Sequence, residues 1–124
     1  MTTEIKSYQD ACKKLGITES LPEVSMLPEK HRKAVLAFFM LVIIAEALND
    51  GWQPNWDDNN EYKYFPWFDC EKATTSGSGF ASYDCTYTNA ITFVGSRLCF
   101  RSSELAKYAG TTFLDLYRDY MMFF

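Results

Sequence analysis

Residues 51–69, GWQPNWDDNNEYKYFPWFD, mark the place where this chain passes from helix to sheet. The stretch holds all three tryptophans, Trp52, Trp56 and Trp67, together with Pro54 and Pro66. Trp52 to Asn60 is dense in Pro, Asn and Asp, the chemistry of a loop. Glu61 to Cys70 is loaded with aromatics and predicts a strand. Pro66 inside it cannot donate to a ladder, so this strand belongs at an edge or carries a bulge.

Upstream, Pro28 to Asn49 predicts a long helix. Proline suits a first helical turn, and Glu29 favours the positive end of the helix dipole. Beyond Arg32 the segment is apolar almost all round, which implies burial on several sides. Its apolar run Ala34 to Ala45 is too short to span a membrane, which takes about 20 residues. Asn49-Asp50-Gly51 ends the helix, with Gly51 suited to a left-handed cap. Earlier still, Ile5, Tyr8, Cys12 and Leu15 recur at spacings of three and four, predicting a helix over 3–15 that Gly16 stops. Residues 17–27 read as a loop held down by Leu21, Val24 and Leu27.

Downstream, 72–79 is a Gly/Ser/Thr loop, Phe80 to Thr88 a second strand and Val94 to Arg101 a third by alternation. Ser102 caps a last helix, Ser103 to Tyr120, in which Gly110 costs about 1 kcal/mol relative to alanine. The expected fold is therefore α+β, one domain over residues 1–124. A small three-stranded antiparallel meander carries helices packed on one face.

At 124 residues, with 48% hydrophobic and 17% aromatic residues, a real core is expected rather than disorder. The chain is acidic, with a formal net charge of −4. The negative charge is concentrated between Glu46 and Glu71, where Lys63 is the lone base among seven acids. Such a balance disfavours binding to a phosphate backbone. Residues 1–20 lack the apolar core of a signal peptide, so a cytoplasmic location with free thiols is expected.

Candidate chemistry is sparse. Asp57-Asp58-Asn59-Asn60-Glu61 starts like a calcium loop, but Tyr62 stands where the loop needs glycine and Phe68 where it needs glutamate. A capped, solvated turn is the expectation. Cys70, Cys85 and Cys99 fall one per expected strand, yet no CxxC pair occurs, and small buried hydrophobes are the simpler reading. His31 is the single histidine, and any Ser-His or Cys-His device would have to use it. Thr74 to Gly79, TTSGSG, lacks the lysine of a phosphate loop. No catalytic residue, metal or cofactor is expected.

A binding role is the leading expectation. Trp, Tyr and Arg are the residue types of protein interfaces, and the interface candidates are Trp52, Trp56, Tyr62, Tyr64, Arg97 and Arg101. Met121, Met122, Phe123 and Phe124 join them as an apolar run whose burial against a second copy would make a homodimer. Fold-back of this run onto its own core is the competing expectation. Trp56 and Trp67 are expected also to anchor the fold, with Trp67→Ala costing about 3–5 kcal/mol if that ring is buried. The alternative is a nucleic-acid accessory protein of the single-strand-binding type, with bases stacked on the aromatics. An enzyme of unrecognised type ranks below both.

The helix end IIAEALN (Ile43 to Asn49), GWQPNWDDNNEYKYFPWF (Gly51 to Phe68), the GF at Gly79-Phe80 and VGSRLCFRSSELAKYAG (Val94 to Gly110) together resemble a family of small proteins. These occur in gut Bacteroidales, their phages and mobile elements, and carry no known activity. The resemblance spans about residues 30 to 120. It implies a cytosolic protein linked to a phage or mobile element, and it supplies no activity, cofactor or catalytic residue that could be carried over to this chain.

Overall fold

The computed structural model describes residues 4–71 and 79–123. Helix α1 is Tyr8–Leu15 and α2 is Glu29–Asn49. Strands β1, Lys63–Asp69, and β2, Ala81–Thr88, follow, then a short 3-10 turn at Ser96–Leu98. Helices α3, Ser103–Thr112, and α4, Leu114–Met121, close the chain. No helix among the described residues is long and apolar enough to cross a membrane.

Local chemistry accounts for the ends of the elements. Ser7 caps α1 by accepting the Asp10 N–H at 3.1 Å, and the Asp10 carboxylate reaches past the cap to accept the Lys6 N–H at 3.0 Å. Gly16 ends α1 at φ +69. At the end of α2 it is Asp50, at φ 49, that takes the left-handed cap, one residue before the expected Gly51. The 17–27 loop is tied down by hydrogen bonds more than by its apolar residues. The Tyr8 hydroxyl donates to Ser20 O at 2.6 Å, and Arg32 donates to the carbonyls of Ser25 and Leu27, while Leu21 is exposed.

Among the described residues the sheet has two strands, not three. β1 and β2 pair antiparallel, with Tyr64 opposite Tyr87 and Pro66 opposite Cys85. The register slips after Trp67, leaving Tyr83 as an extra residue, so the expected irregularity lies one residue past Pro66. The segment read as a third strand meets β1 at one residue only. Phe100 exchanges both backbone hydrogen bonds with Tyr64, at 3.0 and 2.7 Å. Gly95, at φ +78, breaks the extended run before it can pair further. The Thr92 hydroxyl accepts the Val94 and Gly95 N–H groups, at 3.1 and 2.6 Å, and folds the chain into the 3-10 turn instead. The Gly/Ser/Thr loop lies outside the described residues but for Gly79.

The core gathers Leu41, Ile44 and Leu48 of α2, Leu98, Phe100, Leu105, Tyr117 and the Ile5–Cys12 face of α1. α3 lies on the hairpin face formed by Tyr64, Pro66 and Phe68. The last helix divides at Phe113, whose buried ring and φ −110, ψ 32 start the separate helix α4. Gly110 is where α3 comes closest to the sheet: a Cβ there would sit 2.7 Å from Pro66 Cβ. Alanine gains about 1 kcal/mol of helix propensity, but the overlap with a rigid ring costs about 1–3 kcal/mol. Gly110→Ala is therefore expected to lose up to about 2 kcal/mol net in urea unfolding. A variant more stable than wild type would show that the helix can shift away freely.

Candidate interaction surface

The acidic loop is built around a buried cation of the chain itself. Lys63 opens β1 and is 0% exposed. Its Nζ donates to Asp58 O at 2.9 Å and Asn89 O at 2.8 Å, and lies 3.4 Å from Glu61 Oε1 and 5.2 Å from the centre of the Trp56 ring. A buried ammonium needs this many partners to offset its lost hydration. Glu61 in turn accepts the Trp52 indole N–H at 3.2 Å and the Asn55 N–H at 2.6 Å. The Trp56 indole donates to Ser96 Oγ at 2.7 Å. Asn55 and Asp58 cap their own turns by accepting the N–H two residues on. The loop that resembled the start of a calcium site thus turns a carbonyl and a carboxylate onto Lys63.

The expected site residues therefore separate. Trp56 is an anchor of this cage. Arg101 is structural as well: its side chain donates to Asn49 O at 3.2 Å and Leu48 O at 3.5 Å, closing the end of α2. Trp67 is not a buried anchor. Its ring is 47% exposed and stacks on exposed Tyr83, so the cost of truncating it falls well below that of a core tryptophan. Tyr62 and Tyr87 stack at 4.2 Å with Tyr64 beside them, forming a second aromatic patch that adjoins the acidic loop. The thiols point to different places: Cys70 is exposed, Cys85 Sγ faces Ser103 O at 3.9 Å, and Cys99 Sγ faces Gly95 O at 3.1 Å. Burial pushes the Cys99 thiol up to about 11, which makes it a poor nucleophile. The described residues hold no group of three or more His, Cys, Asp or Glu placed to bind a metal.

The remaining candidates meet along one flank of α2. Met122 packs on the core, so the C-terminal run folds back in part. Met121 and Phe123 stay exposed, Phe123 at 77%, and Phe124 lies outside the described residues. Tyr120 stacks on Phe38 at 5.3 Å, and the Phe123 ring is 6.4 Å from that of His31. Tyr120 and Met121 also wall a pocket of about 350 Å³ with Phe93, Val94 and Leu98. Further along α2 a cleft of about 360 Å³ is lined by Val42, Glu46, Trp52, Pro54 and Arg97. Neither Glu46 nor Arg97 stands in an ion pair with another described residue.

Four contributors to this surface were not among the expected residues: Val35, Phe38, Phe93 and Tyr120. Within an all-apolar run the periodicity does not reveal which side faces out, and α2 leaves Val35 and Phe38 exposed where burial on several sides was expected. Comparison with family models, with curated proteins and with solved structures finds no match to this chain.

Proposed function

We propose that this domain is a non-enzymatic protein-interaction module that self-associates as a homodimer, in the setting of a phage or mobile element. The setting rests on the sequence resemblance alone. Self-association rests on one observation: large apolar side chains from three separate segments are exposed together. Val35 and Phe38 come from α2, Phe93 from the loop before the 3-10 turn, and Tyr120, Met121 and Phe123 from the end of α4. Contiguous exposed apolar surface marks an interaction site. Each such ring, on losing its remaining exposure, would contribute on the order of 1–2 kcal/mol before association costs.

Phe93 and Phe123 are 75% and 77% exposed, so replacing both removes surface without opening the core. Light scattering is expected to give the wild-type chain a mass above that of one copy. Phe93→Ser/Phe123→Ser should then lower it to one copy with an unchanged melting temperature. A variant with the wild-type mass would refute the role of this face.

The nucleic-acid reading is favoured by the exposed pairs Tyr62–Tyr87 and Trp67–Tyr83, which present stacking surfaces. It is opposed by the acids beside them, Asp57, Asp58, Glu61 and Asp84. Quenching of tryptophan fluorescence by single-stranded DNA, lost on adding salt, would revive it.

A further inference from the structure

We infer that the second copy packs antiparallel along α2, with the two-fold axis crossing beside Phe38, so that His31 of each copy faces Glu46 of the other. This rests on the self-association proposed above and supplies its geometry. The outward stripe of α2 is His31, Val35, Phe38, Val42 and Glu46, at spacings of four, three, four and four. Its centre is apolar and its ends differ in charge. Around His31 the first turns carry Lys30, Arg32 and Lys33 against the lone acid Glu29, and the far end carries Glu46.

Turning a second copy end for end sets His31 against Glu46, Val35 against Val42, and Phe38 beside its own equivalent. A parallel arrangement would instead place Glu46 beside Glu46 and the basic turns side by side. Antiparallel α2 helices also oppose their macrodipoles favourably. Two helices packed this way sit about 8–10 Å apart, close enough for Phe38 and the valines to interdigitate.

The flanks fit the same geometry. A two-fold axis lying in the interface and crossing α2 leaves each flank on its own side. The end of α4 and the 93–98 segment share one flank, since Tyr120 and Met121 line a pocket with Val94 and Leu98. α1 takes the other flank, where Tyr8 approaches Phe39 at 6.2 Å. The end of one α4, with Phe123 beside His31, is thereby brought over the Glu46 end of the second copy. The cleft walled by Trp52, Pro54 and Arg97 opens there. An exposed phenyl ring would meet an aromatic wall and an arginine that makes no ion pair among the described residues, the surroundings such a ring binds.

Charge exchange tests the register. Glu46→Lys puts a base near the end of α2 and His31→Glu an acid in its first turns, and both suit the helix dipole, so both variants should fold. Each single variant makes two unfavourable contacts per dimer, and sedimentation equilibrium should show self-association weakened about ten-fold. The double variant His31→Glu/Glu46→Lys places opposite charges at both contacts and should return to within about three-fold of wild type. Single variants that associate like wild type, or a double variant that stays weak, overturn this register while leaving self-association through the apolar face intact. A wild-type chain that does not associate overturns both.

Discussion

Lys63→Met is expected to lower the stability of this fold by about 3–5 kcal/mol, the usual cost of removing one partner from a buried ion pair. Methionine is close to lysine in length, so the loss isolates the ammonium rather than a cavity. Without it the carbonyls of Asp58 and Asn89 lose a donor each, and Glu61 loses its counter-ion. Asp58 O keeps the Glu61 N–H, at 3.2 Å, whereas the Asn89 carbonyl loses its Lys63 donor at a cost of about 1–3 kcal/mol. Glu61 retains 24% side-chain exposure, so water relieves part of its share and the lower half of the range is the better estimate. In a domain of this size the melting temperature should fall by about 10–20 °C. Glu61→Gln should cost less, because its one carbonyl oxygen still serves one of the Trp52 and Asn55 donors, which bind different oxygens of the carboxylate. A Lys63→Met protein melting with wild type would mean that the acidic loop does not depend on its internal cation.

Asn49→Ala is expected to cost about 2–4 kcal/mol. Asn49 ends α2 at 6% exposure, and its side-chain amide spans to the far half of the chain. Nδ2 donates to Cys99 O at 2.8 Å and Oδ1 accepts the Arg101 N–H at 3.1 Å. Alanine orphans both of those backbone groups. Phe100, between them, carries the bridge to β1, so the loss should also loosen the Tyr64–Phe100 pair. Hydrogen exchange at the Tyr64 and Phe100 amides checks this directly. Faster exchange at these two than at the α1 amides is the expected pattern, and uniform exchange across the domain would argue against a local tie.

Much of the architecture is legible in the residues themselves. The helix-breaking run Asn49-Asp50-Gly51, the Gly16 stop, the Ser102 cap and the proline-bearing strand all mark real boundaries, because each acts through backbone chemistry within a few residues. The third strand is misread for the same local reason. Val94–Arg101 alternates as a strand should, but Thr92 and Gly95 turn the backbone first, and alternation carries no information about a hydroxyl three residues away. Phe113 interrupts the last helix for a tertiary reason: its ring enters the core. Lys63 has a role that the sequence reading left unassigned. A lone base among seven acids reads as a surface residue, yet its place at the start of a strand turns it inward. The loop acids and carbonyls around it then read as a cage only in three dimensions. The proposed interaction surface was half visible. The C-terminal run and Trp52 and Arg97 stood out by residue type, whereas Val35 and Phe38 were hidden within a helix apolar on every side.

The central claim is that the face formed by Phe38, Phe93, Tyr120 and Phe123 holds two copies of this chain together. Sedimentation equilibrium of the unmodified protein across a concentration series, from low to high micromolar, tests it most directly. The mass should rise from one copy toward two and fit a single monomer–dimer equilibrium. A mass of one copy throughout the series would contradict it.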